Sequence, residues 1–437
     1  MIWWLTLTVL GAVLAGLFAT GLPVAIAFLG TNIIGAWLFL GGTAGLDQLV
    51  RNASGSVSSF SLVPIPLFIL MGELLFHCGL AFKAIEAVER LLNRLPARLA
   101  CVTVVGGTAF SALSGSSIAN TALLGSTLSQ DMMKRGYSPT LALGPAMATG
   151  GIAVLIPPST LAVMLGSLSG ISITQLLIGG IVPGFLMAAG FLIYVILLGV
   201  FNPSAAPRQD QTQIYTFKER YVPFFRDVVP LFGIFVAVIG GMLSGIATPT
   251  EAAALGAMAA FVATLCYRSL TWPKLRESLM ETAKVSVSIL FIIVASTTFS
   301  QILSFSGATS GMLSLVNAVD PTPMTLILSM LLILLLMGCF IDQVSMMMIT
   351  VPLFIPLAQS AGIDLVWLGL MMLVVIELGL LTPPFGILLM VMQGAVKTVP
   401  LLQIYKAALP FIAIEIFVLI LMIFWPDLTT FLPSLIR

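Results

Sequence analysis

The residues of this chain whose types could hold an ion or a small anion fall into two clusters, each set inside an apolar run. The first is Ser114-Gly115-Ser116-Ser117 with Asn120-Thr121, accompanied by Gly150-Gly151 and Ile156-Pro157-Pro158-Ser159. Proline removes a backbone donor and opens the helical ladder, which leaves carbonyl oxygens free. With serine and asparagine oxygens beside them, such carbonyls form a hard, uncharged oxygen site suited to Na⁺. Half-helix N-termini next to the site favour an anionic group on a substrate. The competing explanation is close helix packing, which also enriches glycine and serine.

The second cluster is Gly338, Asp342 and Gln343 with Thr382-Pro383-Pro384. An ionisable residue such as Asp342 in the middle of an apolar segment is a functional candidate by default. A plain N-cap role for Asp342 explains it equally well. Glu377, just before the second Pro-Pro break, is a similar candidate with a weaker claim, whereas Glu73 and Glu415 read as structural pairings. His77 is the only histidine and sits near the end of an apolar run, so a proton relay through it ranks low. Thr248-Pro249-Thr250-Glu251 reads as a capping box and needs no ligand. No Walker loop, His/carboxylate metal cluster or pair of acids in a polar cleft occurs, so no enzyme is expected and no cofactor beyond a coupling ion. Cys78, Cys101, Cys266 and Cys339 lack metal-type spacing and read as packing residues.

The elements that carry these clusters follow from length and composition. Of 437 residues 59% are hydrophobic and 8% charged, against about 25% charged in a soluble domain. The class is therefore an all-α polytopic membrane protein, and a net charge of +1 confined to loops gives no reason to expect nucleic acid. The N-terminus has neither a basic start nor a small-residue cleavage signal and reads as a retained helix. Leu99–Asp131 is uncharged until its last residue. As one helix it would span roughly 50 Å, more than the ~30 Å of a hydrocarbon core. Arg90, Arg94 and Arg98 precede it and Lys134 and Arg135 follow it. Both ends then lie on the cytoplasmic side, which predicts a re-entrant hairpin over about 99–131 with a Ser/Gly tip. Bare backbone at that depth is tolerated only where it lines a cavity or site.

The rest of the first half reads as spans near 3–20 and 22–40, a Ser/Gly-rich interfacial stretch over 41–62, and a span near 63–80. After the hairpin come a broken helix over about 139–170 and a span near 172–200. Residues 201–226 read as a basic cytoplasmic linker between two repeats, 1–200 and 227–437. The second half offers spans near 227–246 and 248–267, a basic loop (Arg268, Lys274, Arg276, Lys284) and a span near 284–306. A second hairpin over about 322–360 has no Lys or Arg in its flanks, 307–321 and 361–364, and should enter from outside. A broken helix over about 363–397 and a span near 400–425 complete it. Pro23 and Pro249, Gly136 and Gly362, Pro157 and Pro383, and Pro158 and Pro384 all stand 226 residues apart. An inverted-topology repeat with both termini periplasmic then places all basic residues but Arg51 and Arg437 on the cytoplasmic side. Paired interrupted helices in such a repeat point to a secondary transporter with a midplane site.

FSALSGSSIANTALLGS, GPAMATGGIAVLIPPS, ATPTEAAALGA and LGLLTPPFG together resemble the large membrane subunit, the DctM or M type, of tripartite ATP-independent periplasmic (TRAP) transporters, over essentially the whole chain. The resemblance implies an elevator fold of the ion-transporter superfamily, in which hairpins and broken helices move against a scaffold of the remaining spans. It implies Na⁺-coupled uptake of an organic anion across a bacterial inner membrane. The partners would be a periplasmic binding protein (P type) and a small four-helix membrane subunit (Q type), which the chain does not carry fused at its start. One Na⁺ site would then involve Ser114, Gly115, Ser116, Gly150 and Pro157, and a second Gly338, Asp342 and Thr382. Ser117, Asn120, Pro158, Ser159, Gln343, Pro383 and Pro384 would line the substrate cavity. The alternatives are a stand-alone Na⁺/dicarboxylate symporter and, further off, a gated anion channel.

Overall fold

The computed structural model describes residues 3–93, 95–207 and 216–435. Arg94, Arg208 and Arg437 lie outside these ranges. Among the described residues the chain is helical with no strand. Helices α1 (Trp3–Ala19) and α2 (Val24–Phe39) are the first two expected spans. The Ser/Gly-rich stretch that follows is itself mostly helical, as α3 (Thr43–Val57). Next come α4 (Pro64–His77) and the amphipathic α5 (Leu80–Leu91), whose buried Leu80, Ala81, Ala84, Ile85 and Val88 recur at helical spacing.

The overlong segment breaks where its sequence weakens. Helix α6 (Arg98–Ser114) ends at Gly115, whose φ of +61° suits a residue without a Cβ and whose N–H bonds Ser111 O at 2.9 Å. The chain resumes as α7 (Ser117–Leu124), a π-helical turn over Gly125–Ser129 and α8 (Gln130–Lys134). The next segment divides into α9 (Pro139–Ile152) and α10 (Thr160–Ser169) on either side of the Pro-Pro break. The single span expected near 172–200 is two helices, α11 (Ile173–Gly179) and α12 (Ile181–Phe201), joined at Gly180. A Cβ at Gly180 would lie 2.3 Å from the Leu155 carbonyl oxygen, so close approach demands glycine there.

Two expectations need correction in the second half. The linker over 201–226 turns helical at Phe217, and α13 (Phe217–Pro223) runs through a π-helical turn over Phe224–Val228 into α14 (Val229–Leu243). The start is set by a capping box, Thr216 N–H donating to Glu219 Oε2 at 2.9 Å. After α15 (Pro249–Cys266), with the expected Thr248–Glu251 capping box, the basic loop is shorter than expected. Arg268 stays in the turn that follows α15, whereas Lys274, Arg276 and Lys284 lie on the 34-residue α16 (Trp272–Phe305). Good helix formers, Pro273 in the first turn and the Lys284–Glu281 pair at 2.6 Å all favour that helix. Then follow α17 (Ala308–Val319), the pair α18 (Pro323–Gly338) and α19 (Gln343–Ser360), the pair α20 (Leu365–Leu381) and α21 (Ile387–Ala395), α22 (Leu401–Phe424) and α23 (Asp427–Ser434). The Pro157-Pro158 and Pro383-Pro384 peptides are both cis.

Burial identifies the centre. Every residue of α9 from Leu141 to Ile152, and of α20 from Leu368 to Leu381, is buried. Helices α6 and α7 pack on α9, α18 and α19 pack on α20, and α22 lies against both α9 and α20. Gly144 on α9 sits under the Phe411 ring of α22, 2.2 Å from where a Cβ would be. Helices α12 and α22 thus belong to the central bundle and not to the flanking spans. Those flanks include α1, α2 and α16, joined by the edge contact of Phe28 and Phe299 (5.3 Å), and α4 packed between α15 and α16. The outward faces are apolar, with Phe232, Met258 and Val287 more than half exposed. Among the described residues, seven helical stretches are long and apolar enough to cross a membrane.

Candidate functional site

The two tips are built alike. Ser116 caps α7, its Oγ accepting from Ala119 N–H at 3.3 Å. Asp342 caps α19, its Oδ2 accepting from Val344 N–H (3.0 Å) and Ser345 N–H (3.2 Å) while Oδ1 accepts from Ser345 Oγ. Ser138 and Asp364 cap α9 and α20 in the same way, and both pairs stand at the interval that separates Ser117 from Gln343. Both carboxylate oxygens of Asp342 are thus engaged by the start of its own helix.

The first tip closes against the first break. A Cβ on Gly115 would lie 2.9 Å from Pro158 O, and the Gly115 carbonyl accepts from Thr160 Oγ1 at 3.3 Å. Ser114 Oγ accepts from Ser116 N–H at 3.4 Å. The atoms nearest Gly150 are Thr121 Oγ1 and Ser117 O of α7, 2.8 and 2.9 Å from an added Cβ. Pro157, Pro158 and Ser159 are buried, Ser159 capping α10 through Ala162 N–H. Asn120 Nδ2 donates to Thr149 Oγ1 at 3.2 Å, and its buried Oδ1 has no hydrogen-bond partner.

The second tip meets the second break more openly. Gly338 crosses Gly379 so closely that a Cβ on either would lie 2.6 Å from the other's Cα. Thr382 Oγ1 turns back to Leu378 O at 2.6 Å, Pro383 is half-buried, and Pro384 O, on the surface, accepts from Tyr405 Oη at 2.5 Å. Phe340 at the tip and Phe385 at the break are 67% and 59% exposed, with ring centroids 5.8 Å apart.

The two halves meet on Glu377. Ser117 Oγ donates to Glu377 Oε1 at 2.6 Å, Gln343 Nε2 donates to the same oxygen, and Gln343 Nε2 reaches Ser117 Oγ at 3.4 Å. Glu377 is therefore the centre of the polar contacts, a larger part than its sequence position suggested. Glu415 departs from expectation. Its Oε2 is buried without a hydrogen-bond partner, and its acidic neighbour across Gly151 is Glu377. Glu73, by contrast, does pair, with His77 at 3.1 Å, and His77 also lies 3.6 Å from Glu277. Thr149 and Ser111, which no sequence motif marks, tie the first arm to α9 through a Ser111 Oγ–Thr149 O bond of 2.5 Å. Their only signal was a hydroxyl in an apolar run, which packing explains as readily.

The fold and these tips define a class of multi-pass membrane transport proteins, and the family is more specific. The family model "Tripartite ATP-independent periplasmic transporter, DctM component" matches residues 11–428. The chain belongs to this family of TRAP transporter large permeases. It is 31% identical over 376 residues to the C4-dicarboxylate TRAP transporter large permease of Pseudomonas aeruginosa, covering 86% of each chain. It is 31% identical over 424 residues to the 2,3-diketo-L-gulonate large permease of Escherichia coli, covering 96% of each. It is 28% identical over 425 residues to the sialic acid large permease of Vibrio cholerae, again covering 96% of each. Among solved structures the YdaH transporter of Alcanivorax borkumensis has a similar fold, with TM-score 0.60 and 14% identity over 89% of this chain and 90% of that one.

Proposed function

We propose that this chain moves a carboxylate-bearing organic anion into the cell, driven by Na⁺, as the large subunit of a bacterial inner-membrane TRAP transporter. The observation that carries the reading is the junction at Glu377. The second arms of two capped hairpins, at equivalent positions 226 residues apart, end on one buried carboxylate of a broken helix. Two short interrupted helices facing one another are how transporters build a midplane site from backbone and hydroxyl oxygens. The repeat is inverted, with re-entrant hairpins and both termini periplasmic, and the paired caps support it. The Na⁺ ligands come from the oxygens of Ser114, Gly115, Ser116, Gly150 and Pro157 at one tip, and of Gly338, Asp342 and Thr382 at the other. The anion is met by Ser117, Asn120, Ser159 and Gln343 with the ends of the Pro-Pro breaks. The hairpins, broken helices, α12 and α22 move together as the elevator, because α12 and α22 are packed on α9. Relatives named for C4-dicarboxylates, diketogulonate and sialic acid make a carboxylate the common substrate group. A periplasmic binding protein delivers it, and a small four-helix subunit completes the membrane complex.

The test uses no solute. Thermal stability of the full chain with its small subunit is titrated with NaCl against KCl at constant ionic strength. Specific binding to the folded state stabilises by about 2.7 kcal/mol at a hundredfold excess over Kd. The expected result is a saturable rise with Na⁺ alone, reduced in Ser116→Ala and in Thr382→Ala. Losing the Ser116 cap lowers the baseline by about 1 kcal/mol, so the Na⁺-dependent increment is the quantity compared. Equal responses to the two salts in wild type reject Na⁺ coupling through the tips.

A further inference from the structure

Two acids in the middle of the bundle have unfilled bonding capacity. Glu377 on α20 and Glu415 on α22 are each 2% exposed, and Oε2 of each lacks any hydrogen-bond partner. They approach one another beside Gly151 of α9, where a Cβ would lie 3.3 Å from Glu415 Oε1 and 3.8 Å from Glu377 Cβ. The other ionisable side chains on the helices packed against α20 and α22 are engaged or turned outward. Asp342 and Asp364 cap their own helices, Tyr405 bonds Pro384 O, and Tyr194 packs edge-on to Phe411. Lys406 and Asp427 are exposed.

Burial and a neighbouring carboxylate both disfavour ionisation, so joint ionisation of this pair without a cation between them is costly. The hydrogen-bond donors fall unequally on the pair. Glu377 Oε1 accepts from Ser117 and Gln343, which suits the anion, whereas no donor is seen on Glu415 Oε2. We propose that the pair is a proton-binding site, Glu415 carrying the proton while Glu377, as the anion, clasps Ser117 and Gln343. The step is simple protonation: one proton from water joins a Glu415 oxygen, and its loss restores the carboxylate. Loss would add a second buried negative charge across Gly151 from Glu377, the carboxylate on which Ser117 and Gln343 meet, so proton occupancy and that junction are tied together. The inference stands apart from Na⁺ coupling, because its test reads the resting protein.

The experiment is infrared spectroscopy of the full chain with its small subunit in mildly alkaline buffer, in H₂O and D₂O. The protein carries ¹³C in its glutamate carboxyls, so a protonated glutamate is told from an aspartate by its isotope shift. The expected result is a protonated-glutamate band in wild type that is lost in Glu415→Gln and kept in Glu377→Gln. In Glu415→Asp, which keeps an acid and guards against a misfolded glutamine variant, the band persists but loses its isotope shift. Absence of the band in wild type overturns the proposal. So does a band untouched by either substitution at 415, or one removed by Glu377→Gln alone.

Discussion

Ser117 and Gln343 share a single acceptor, Glu377 Oε1, and that sharing has a measurable signature. A hydrogen bond to a charged group contributes about 1.5–3 kcal/mol, and partners in one network are not additive. In a double-mutant cycle on denaturation, Ser117→Ala and Gln343→Leu should each destabilise the protein. The double variant should differ from the sum by at least about 0.5 kcal/mol. Strict additivity would mean that the two do not meet on one oxygen. Asp342 shows what single residues reveal in sequence: a carboxylate before an apolar helical run is an N-cap wherever that run starts a helix. Glu415 shows the opposite. Its neighbour Glu377 comes from another helix, and no local pattern announces that contact.

The helix breaks and caps are legible in the sequence because their signals are local. Gly115 at the tip, serine and aspartate caps, and doubled prolines each act within a turn of where they stand. The start of α16 was not legible in that way, since Lys and Arg mark the cytoplasmic side equally in a loop or in a helix. What holds the second hairpin in place is the crossing of α18 and α20 at Gly338 and Gly379. A Cβ at Gly379 meets backbone, which cannot rotate aside, so Gly379→Ala should lower stability by about 1–3 kcal/mol. Gly394, in α21, has open space around it, and alanine there should be neutral or raise stability by up to about 1 kcal/mol. A denaturation series on the two variants separates the cases. Equal behaviour would show that α18 and α20 are not held at that contact.

The intact molecule joins a central bundle to flanking spans, and transport by the proposed mechanism requires those parts to move past one another. The first hairpin touches α5 where a Cβ on Gly106 would lie 3.8 Å from Ile85 Cβ, a separation suited to a disulfide. In a background without the four native cysteines, Ile85→Cys with Gly106→Cys should crosslink under oxidation. Uptake in proteoliposomes should then fall at least tenfold and return on reduction, while the Na⁺-dependent stabilisation persists. Full uptake by the crosslinked protein would rule out movement of this hairpin against α5. The division into bundle and flanks was only partly legible in sequence. α12 and α22 look like any other apolar span, and only packing such as Gly144 under Phe411 assigns them to the bundle.

Between α5 and α14 on one side and α6 and α12 on the other lies an apolar cleft of about 470 Å³. Val88, Val104, Leu192, Leu231 and Phe235 are among the side chains that wall it, and Thr108 is the one hydroxyl. If these walls are the surfaces that the proposed mechanism moves past one another, almost no hydrogen bonds are broken there. In the proposed mechanism the friction between these faces would be that of hydrocarbon on hydrocarbon, so uptake should respond to the stiffness of the surrounding lipid.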